Sequence, residues 1–221
     1  GGAVVLANPH FPWEGELRFY ESHLTIPGQL DVYGGSLIGT PLVNIGFTKD
    51  VAWTHTFSSS VHFVIYRVPL VAGSGNRIDV GNGPEAIAPR TFTIDVRGAD
   101  GALTRATRTL YRSRLGPMLD SAELPWDPAA GTAYTLVDVA LDDASDGGAV
   151  DEYLALARAT TVADVRRALA RSHTPFLNTI AGDADGHTLY VDGSRVPALT
   201  AEGLAMWSLG RRAIPALGKA W

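Results

Sequence analysis

Residues 51–68 read Val51-Ala52-Trp53-Thr54-His55-Thr56-Phe57-Ser58-Ser59-Ser60-Val61-His62-Phe63-Val64-Ile65-Tyr66-Arg67-Val68. β-Branched and aromatic residues recur with period two on both sides of the three serines, which predicts strands over 51–57 and 61–68. Working outward, shorter runs of the same texture lie at 17–26, 30–32, 35–38 and 42–47, punctuated by glycines and Pro41. The run 3–7 is short and apolar and ends at Asn8-Pro9, a turn signal. Residues 72–85 form a Gly-rich loop region, and 91–96 and 103–111 flank Gly98-Ala99-Asp100-Gly101, which predicts a hairpin. The texture changes after Asp142. Apolar residues then fall at helical spacing over 150–159 and 162–171, and Thr161 with Asp164 predicts a capping box. Strand texture returns at 176–182 and 188–191 around Asp183-Ala184-Asp185-Gly186. In the tail, Trp207, Leu209, Ile214 and Leu217 are apolar, but Gly210 and Pro215 break a long helix. Many short strands with one αα-hairpin predict an α+β fold.

Composition narrows the function classes. The 221 residues suffice for a hydrophobic core without covalent staples. There is no cysteine, which excludes a disulfide framework, thiolate zinc, an iron–sulfur cluster and a cysteine nucleophile. The formal net charge is −5, and 16 of the 18 basic residues are arginine, the exceptions being Lys49 and Lys219. Neither basic excess nor clustering is present, so no nucleic-acid partner is expected. No apolar run approaches the roughly 20 residues of a membrane helix, so no membrane insertion is expected.

Three segments invite chemistry. Asn8-Pro9-His10-Phe11-Pro12-Trp13 is a proline-stiffened loop that presents a histidine between aromatic residues. Such a loop suits a ligand site, but taken alone it suits a simple core cap better, because aromatic residues mostly serve packing. Trp53-Thr54-His55-Thr56-Phe57 is either a half-exposed strand or a cleft wall whose backbone N–H groups reach a substrate oxygen. In Phe176-Leu177-Asn178-Thr179-Ile180 an amide interrupts an apolar run. It requires partners, either backbone or substrate. Asp183, Asp185 and Asp192 suggest a cation site less than they suggest a turn. The six histidines lack zinc-site spacing on a helix, and no P-loop, Rossmann fingerprint or nucleophile elbow occurs.

Together these segments resemble the β-subunit of penicillin-acylase-type N-terminal-nucleophile hydrolases, in the branch of the aculeacin A and acyl-homoserine lactone acylases. The resemblance begins with Leu6-Ala7-Asn8-Pro9-His10-Phe11-Pro12-Trp13, Arg18-Phe19-Tyr20-Glu21 and His23-Leu24-Thr25-Ile26-Pro27-Gly28. It continues through Gly39-Thr40-Pro41, Val51-Ala52-Trp53-Thr54-His55-Thr56, Thr109-Leu110-Tyr111-Arg112-Ser113 and Asn178-Thr179-Ile180-Ala181, in the same order along nearly the whole chain.

The resemblance implies part of an αββα sandwich, with residues 1–221 as a partial β-subunit and the helical hairpin at about 149–171 as an insertion. It implies an N-acyl amide hydrolase made as a self-cleaving precursor. An N-terminal serine would attack the amide carbonyl, and its own α-amine, with a pKa near 8, would serve as base. On this basis His10 orients the nucleophile, Phe57 gives a backbone N–H to the oxyanion, and Asn178 gives its side-chain amide. Phe11, Trp13 and Thr56 contact the substrate. The substrate expected is an acyl-homoserine lactone, a lipopeptide or a β-lactam. The partner expected is an α-subunit of the same precursor, and the location is the periplasm or outside. No cofactor is expected. Ser58-Ser59-Ser60 stands where penicillin G acylases carry calcium-binding carboxylates, so no calcium site is expected. The nucleophile is expected ahead of Gly1. Its absence from the chain leaves the alternative of a truncated or inactive homologue acting as a binding or structural module.

Overall fold

The computed structural model describes residues 2–81, 83–140, 148–208 and 214–215. Gly1, Asn82, Asp142, Leu209, Gly210, Leu217 and Lys219 of the sequence reading lie outside these. In chain order the strands are β1 (Phe19–Ile26), β2 (Leu30–Leu37), β3 (Ile45–Phe47), β4 (Val51–Phe57), β5 (Phe63–Pro69), β6 (Arg77–Ile78), β7 (Glu85–Ala86), β8 (Ala88–Arg97), β9 (Leu103–Ser113), β10 (Gly116–Leu119), β11 (Thr132–Asp138), β12 (Leu177–Asp183), β13 (Thr188–Asp192) and β14 (Ile214–Pro215). The helices are α1 (Gly148–Ala157), α2 (Val162–Ala168) and α3 (Ala201–Ser208). The chain divides into two compact units, Gly1–His62 with Asp142–Arg195, and Phe63–Leu141 with Val196–Trp221.

The first unit is a six-stranded sheet in the order β1-β2-β3-β4-β12-β13. All its described pairings are antiparallel. The αα-hairpin packs on one face. Val32, Trp53 and Ala181 from the sheet meet Tyr153, Leu156, Val165 and Leu169 from the helical segment in one buried cluster. Each such apolar side chain contributes about 1.5–3 kcal/mol by leaving water. The Trp53 indole N–H donates to the Asn44 carbonyl at 2.8 Å, so the largest core side chain buries no unpaired polar atom. The capping box forms as the sequence predicts. The Thr161 side chain accepts from the Asp164 N–H, and the Asp164 carboxylate accepts from the Thr161 N–H at 3.0 Å.

Three differences from the sequence reading have clear causes. The runs 30–32 and 35–38, read as two strands broken by glycine, merge into the single strand β2, which ends at Leu37. Gly34 and Gly46 face each other across β2 and β3, and a Cβ on Gly34 would lie 2.2 Å from the Ile45 carbonyl oxygen. These glycines permit close backbone approach instead of ending a strand. The expected strand 42–47 shrinks to Ile45–Phe47 because its first residues serve a turn. The Ser36 hydroxyl donates to the Leu42 carbonyl at 2.7 Å, and the Asn44 side-chain oxygen accepts from the Leu37 N–H at 2.9 Å. The run 3–7 keeps an alternating pattern, with Val4 and Leu6 exposed and Ala3 and Val5 half-buried beside Gly182, but it joins no ladder.

The second unit is a sheet in the order β14-β5-β11-β10-β9-β8 with the small pair β6-β7. The predicted hairpin is the long ribbon β8–β9, closed at Gly98–Gly101 with Gly101 at φ 81°. Thr91 and Thr109 share a hydroxyl bond at 2.9 Å across it, and Thr93 and Thr107 another at 3.1 Å. The tail, ambiguous in sequence, forms α3 ahead of Gly210. Among the described residues no helix is long and apolar enough to cross a membrane.

Candidate active site

The site lies in the first unit, where the end of β4 meets the start of β12. The register sets Thr56 opposite Asn178 and Phe57 opposite Leu177. The Ser58 N–H donates to the Phe176 carbonyl at 2.9 Å. An antiparallel ladder alternates inward and outward N–H groups, so that bond turns the Phe57 N–H away from β12. On its other side β3 begins at Ile45, one residue beyond the Gly46–Trp53 pair, and does not run alongside Phe57.

Beside this strand end opens a cavity of about 510 Å³, within the size range of small-molecule sites. It is lined by the proline loop at Asn8–Phe11, by Phe19, Leu37, Leu42, Asn44 and Ile45, by His55, Thr56 and Phe57, by Ala149, Val150 and Tyr153 of α1, and by Thr174, Phe176 and Leu177. Aromatic rings make one wall. Phe11 packs edge-on against Phe19 at 5.3 Å and lies 5.9 Å from Phe57, which stacks on Phe176 at 5.6 Å.

Four sequence-predicted residues therefore line one cavity: His10, Phe11, Thr56 and Phe57. Asn178 sits at its margin without lining it. Its Nδ2 donates to the Thr56 hydroxyl at 3.2 Å and to the Phe57 carbonyl at 3.3 Å, and its Oδ1 accepts from the Tyr190 hydroxyl at 2.9 Å. Trp13 is not brought to the cavity. Two prolines fix the loop so that His10 and Phe11 turn inward, while Trp13, beyond Pro12, is 96% exposed.

Two lining residues carried no assigned role in the sequence reading. His55 binds the Thr179 hydroxyl through Nδ1 at 2.9 Å and packs edge-on against Tyr153 at 5.9 Å, while its Nε2 makes no well-formed hydrogen bond among the described residues. Burial lowers its pKa to about 4, outweighing the backbone groups of Asn178 and Asn44 that favour the charged form. The imidazole is neutral at physiological pH. Burial, aided by the nearby Glu152 carboxylate, pushes the Tyr153 phenol well above its ordinary range. Glu152 is buried and accepts from the His173 N–H at 2.9 Å and from the Thr174 hydroxyl, which ties α1 to the loop at the cavity rim.

Asp183 ends β12, and Asp185 stands in the turn that follows. The buried Asp183 carboxylate accepts from the Val162 N–H at 3.2 Å and the His187 N–H at 2.9 Å. Those bonds overcome burial and keep it below the usual carboxylate range. Among the described residues no group of three or more acidic or histidine side chains is placed to hold a metal. The Ser58 hydroxyl lies 2.9 Å from that of Ser60 and 3.4 Å from the Asp192 carboxylate, a local hydroxyl chain.

The family model for penicillin amidase matches residues 1–219. The chain belongs to the penicillin amidase family. Among the family's curated members, it is 41% identical over 210 residues to the acyl-homoserine lactone acylase PvdQ of Pseudomonas fluorescens, covering 94% of this chain and 26% of that protein. It is 40% identical over 202 residues to the aculeacin-A acylase of Actinoplanes utahensis, covering 90% of this chain and 24% of that one. The chain thus spans about a quarter of the length of the curated relatives it matches. In structure it superimposes on a thermostable penicillin G acylase from Alcaligenes faecalis with a TM-score of 0.69 and 22% identity, covering 87% of this chain and 32% of that one. That likeness shows the penicillin amidase fold.

Proposed function

We propose that this penicillin amidase chain is the oxyanion and acyl-pocket portion of an N-acyl amide hydrolase. The observation that carries the reading is the cavity. His10 and the Phe57 strand end open onto one apolar, aromatic-walled space, with the Asn178 amide hydrogen-bonded to the same strand end. An acyl chain fits such a wall, and the amide carbonyl fits its polar margin. The substrates proposed are an acyl-homoserine lactone, a lipopeptide or a β-lactam with an acyl side chain.

The mechanism proposed uses an N-terminal serine supplied by the same precursor. Its hydroxyl oxygen bonds to the amide carbon while the α-amine takes the hydroxyl proton. The carbonyl oxygen becomes an oxyanion held by the Phe57 N–H and the Asn178 Nδ2. Collapse breaks the carbon–nitrogen bond, and the α-ammonium returns the proton to the leaving amine. Water then releases the acid from the acyl-serine by the same steps. His10 holds the nucleophile and its amine. Self-cleavage of a precursor, an α-subunit partner, degradation of an antibiotic or quorum signal, and a periplasmic or secreted location belong to the same proposal. The identity of about 40% to proteins named as acylases supports it.

The test expresses the complete reading frame and measures amine release from acyl amides. Asn178→Ala should lower kcat roughly 10²–10³-fold, the effect of losing one oxyanion donor. His10→Ala should lower activity as well. Undiminished hydrolysis by both variants would remove these residues from the mechanism, and no hydrolysis by the wild type would favour a binding module.

A further inference from the structure

We infer that Tyr190 is a positioning residue that anchors the oxygen end of the Asn178 amide and so holds its NH₂ group in place for the reacting carbonyl. The inference rests on the proposed hydrolase reading and deepens it.

One end of the Asn178 amide lies 3.3 Å from the Phe57 carbonyl oxygen. A carbonyl can only accept, so that end must be the NH₂ group. The other end is therefore the oxygen. The Tyr190 hydroxyl, 2.9 Å from it, must donate. Among the described residues no other hydrogen bond to that oxygen is seen. The Phe57 carbonyl thus sets the amide orientation, and the Tyr190 hydroxyl holds the oxygen end in place, independent of how the two ends are labelled.

The sheet explains why Tyr190 can do this. Tyr190 pairs with Ile180 and Asp192 with Asn178, so Tyr190 and Asn178 share a face of the β12–β13 pair on the diagonal. Such neighbours are within reach of a long aromatic side chain. The Tyr190 ring is 64% exposed and lies outside the core cluster, so packing does not account for its position.

The bonds at the other end are suited to exchange. Both contacts of Nδ2, to Thr56 and Phe57, are long at 3.2 and 3.3 Å. A developing oxyanion offers a stronger, charge-assisted acceptor and would draw one N–H away from them. The bond from Tyr190 need not change in that step. A held oxygen end restricts the swing of the side chain, so the N–H is already placed when the charge develops.

The test uses the complete mature enzyme with Tyr190→Phe, which removes the hydroxyl and keeps the ring. We expect kcat to fall about tenfold, less than the loss of the donor itself. KM should stay within about twofold, because the interaction strengthens only as charge develops. The Ki of a straight-chain alkylboronic acid, which forms a tetrahedral adduct with a serine, should rise about tenfold in parallel. The urea midpoint should not move. On an Asn178→Ala background, Tyr190→Phe should change kcat and Ki by less than about twofold. An unchanged kcat and Ki would overturn the inference and leave the hydrolase reading standing, as would a change in KM alone. Equal effects with and without the Asn178 side chain would also overturn it. Full activity of Asn178→Ala would remove the proposed oxyanion donor and this inference together.

Discussion

His55 packs its ring edge-on against Tyr153 and holds Thr179 through Nδ1, with its pKa lowered to about 4 by burial. In an unfolded chain the same group titrates near 6.5, so between pH 6.5 and 4 the unfolded state binds more protons. Stability from this residue is therefore complete above about pH 6.5 and is lost as pH falls to 4. The shift corresponds to at most about 3 kcal/mol. Urea unfolding at pH 7 and pH 4 should show the wild type losing more stability than His55→Gln, in which no group titrates at this position. Parallel losses would contradict the assignment. Single residues were unequally legible in the sequence. An amide inside the apolar run 176–180 stood out because burying it unpaired is costly, and the structure gives it three partners. Tyr190, one of those partners, looked like any strand tyrosine, because its significance comes from a diagonal pairing between β12 and β13.

At the level of elements, local signals were the readable ones. β4 spans the residues its alternation predicts, and the Thr161–Asp164 box closes over three residues of contiguous chain. Hydrogen bonds from Thr160 and Thr161 hold the Asp164 carboxyl down to about 2, so this cap persists until strongly acid pH. Thr161→Ala should lower stability by about 1 kcal/mol in urea unfolding, with faster hydrogen exchange confined to α2. The glycines of β2 and β3 misled because their reason lies across the sheet. A Cβ on Gly46 would sit 2.4 Å from the Tyr33 carbonyl oxygen. Gly46→Ala should cost about 2 kcal/mol or more, since backbone on the facing strand would have to shift. An unchanged urea midpoint would show that the two strands separate freely.

For the molecule as a whole, α+β class and family membership were within reach of the sequence, because strand texture and motif order are properties of the linear chain. The cavity was not. Its walls come from residues near 10, 40, 55, 150 and 175, and only the fold of the first unit brings them together. Trp13, three residues from His10 in sequence, does not line the cavity. The central claim is that this space holds the acyl chain of an amide substrate beside the Phe57 strand end. The most direct measurement is kcat/KM of the complete enzyme across acyl amides of increasing chain length, for the wild type and Phe57→Val. Phe57 lines the cavity by its ring while its proposed catalytic group is the backbone N–H, so the variant enlarges the space and keeps the donor. The account predicts that the preferred chain becomes longer, with the long-to-short ratio rising roughly fourfold for each added methylene accommodated. A length profile that keeps its shape, whether or not overall activity falls, would contradict it.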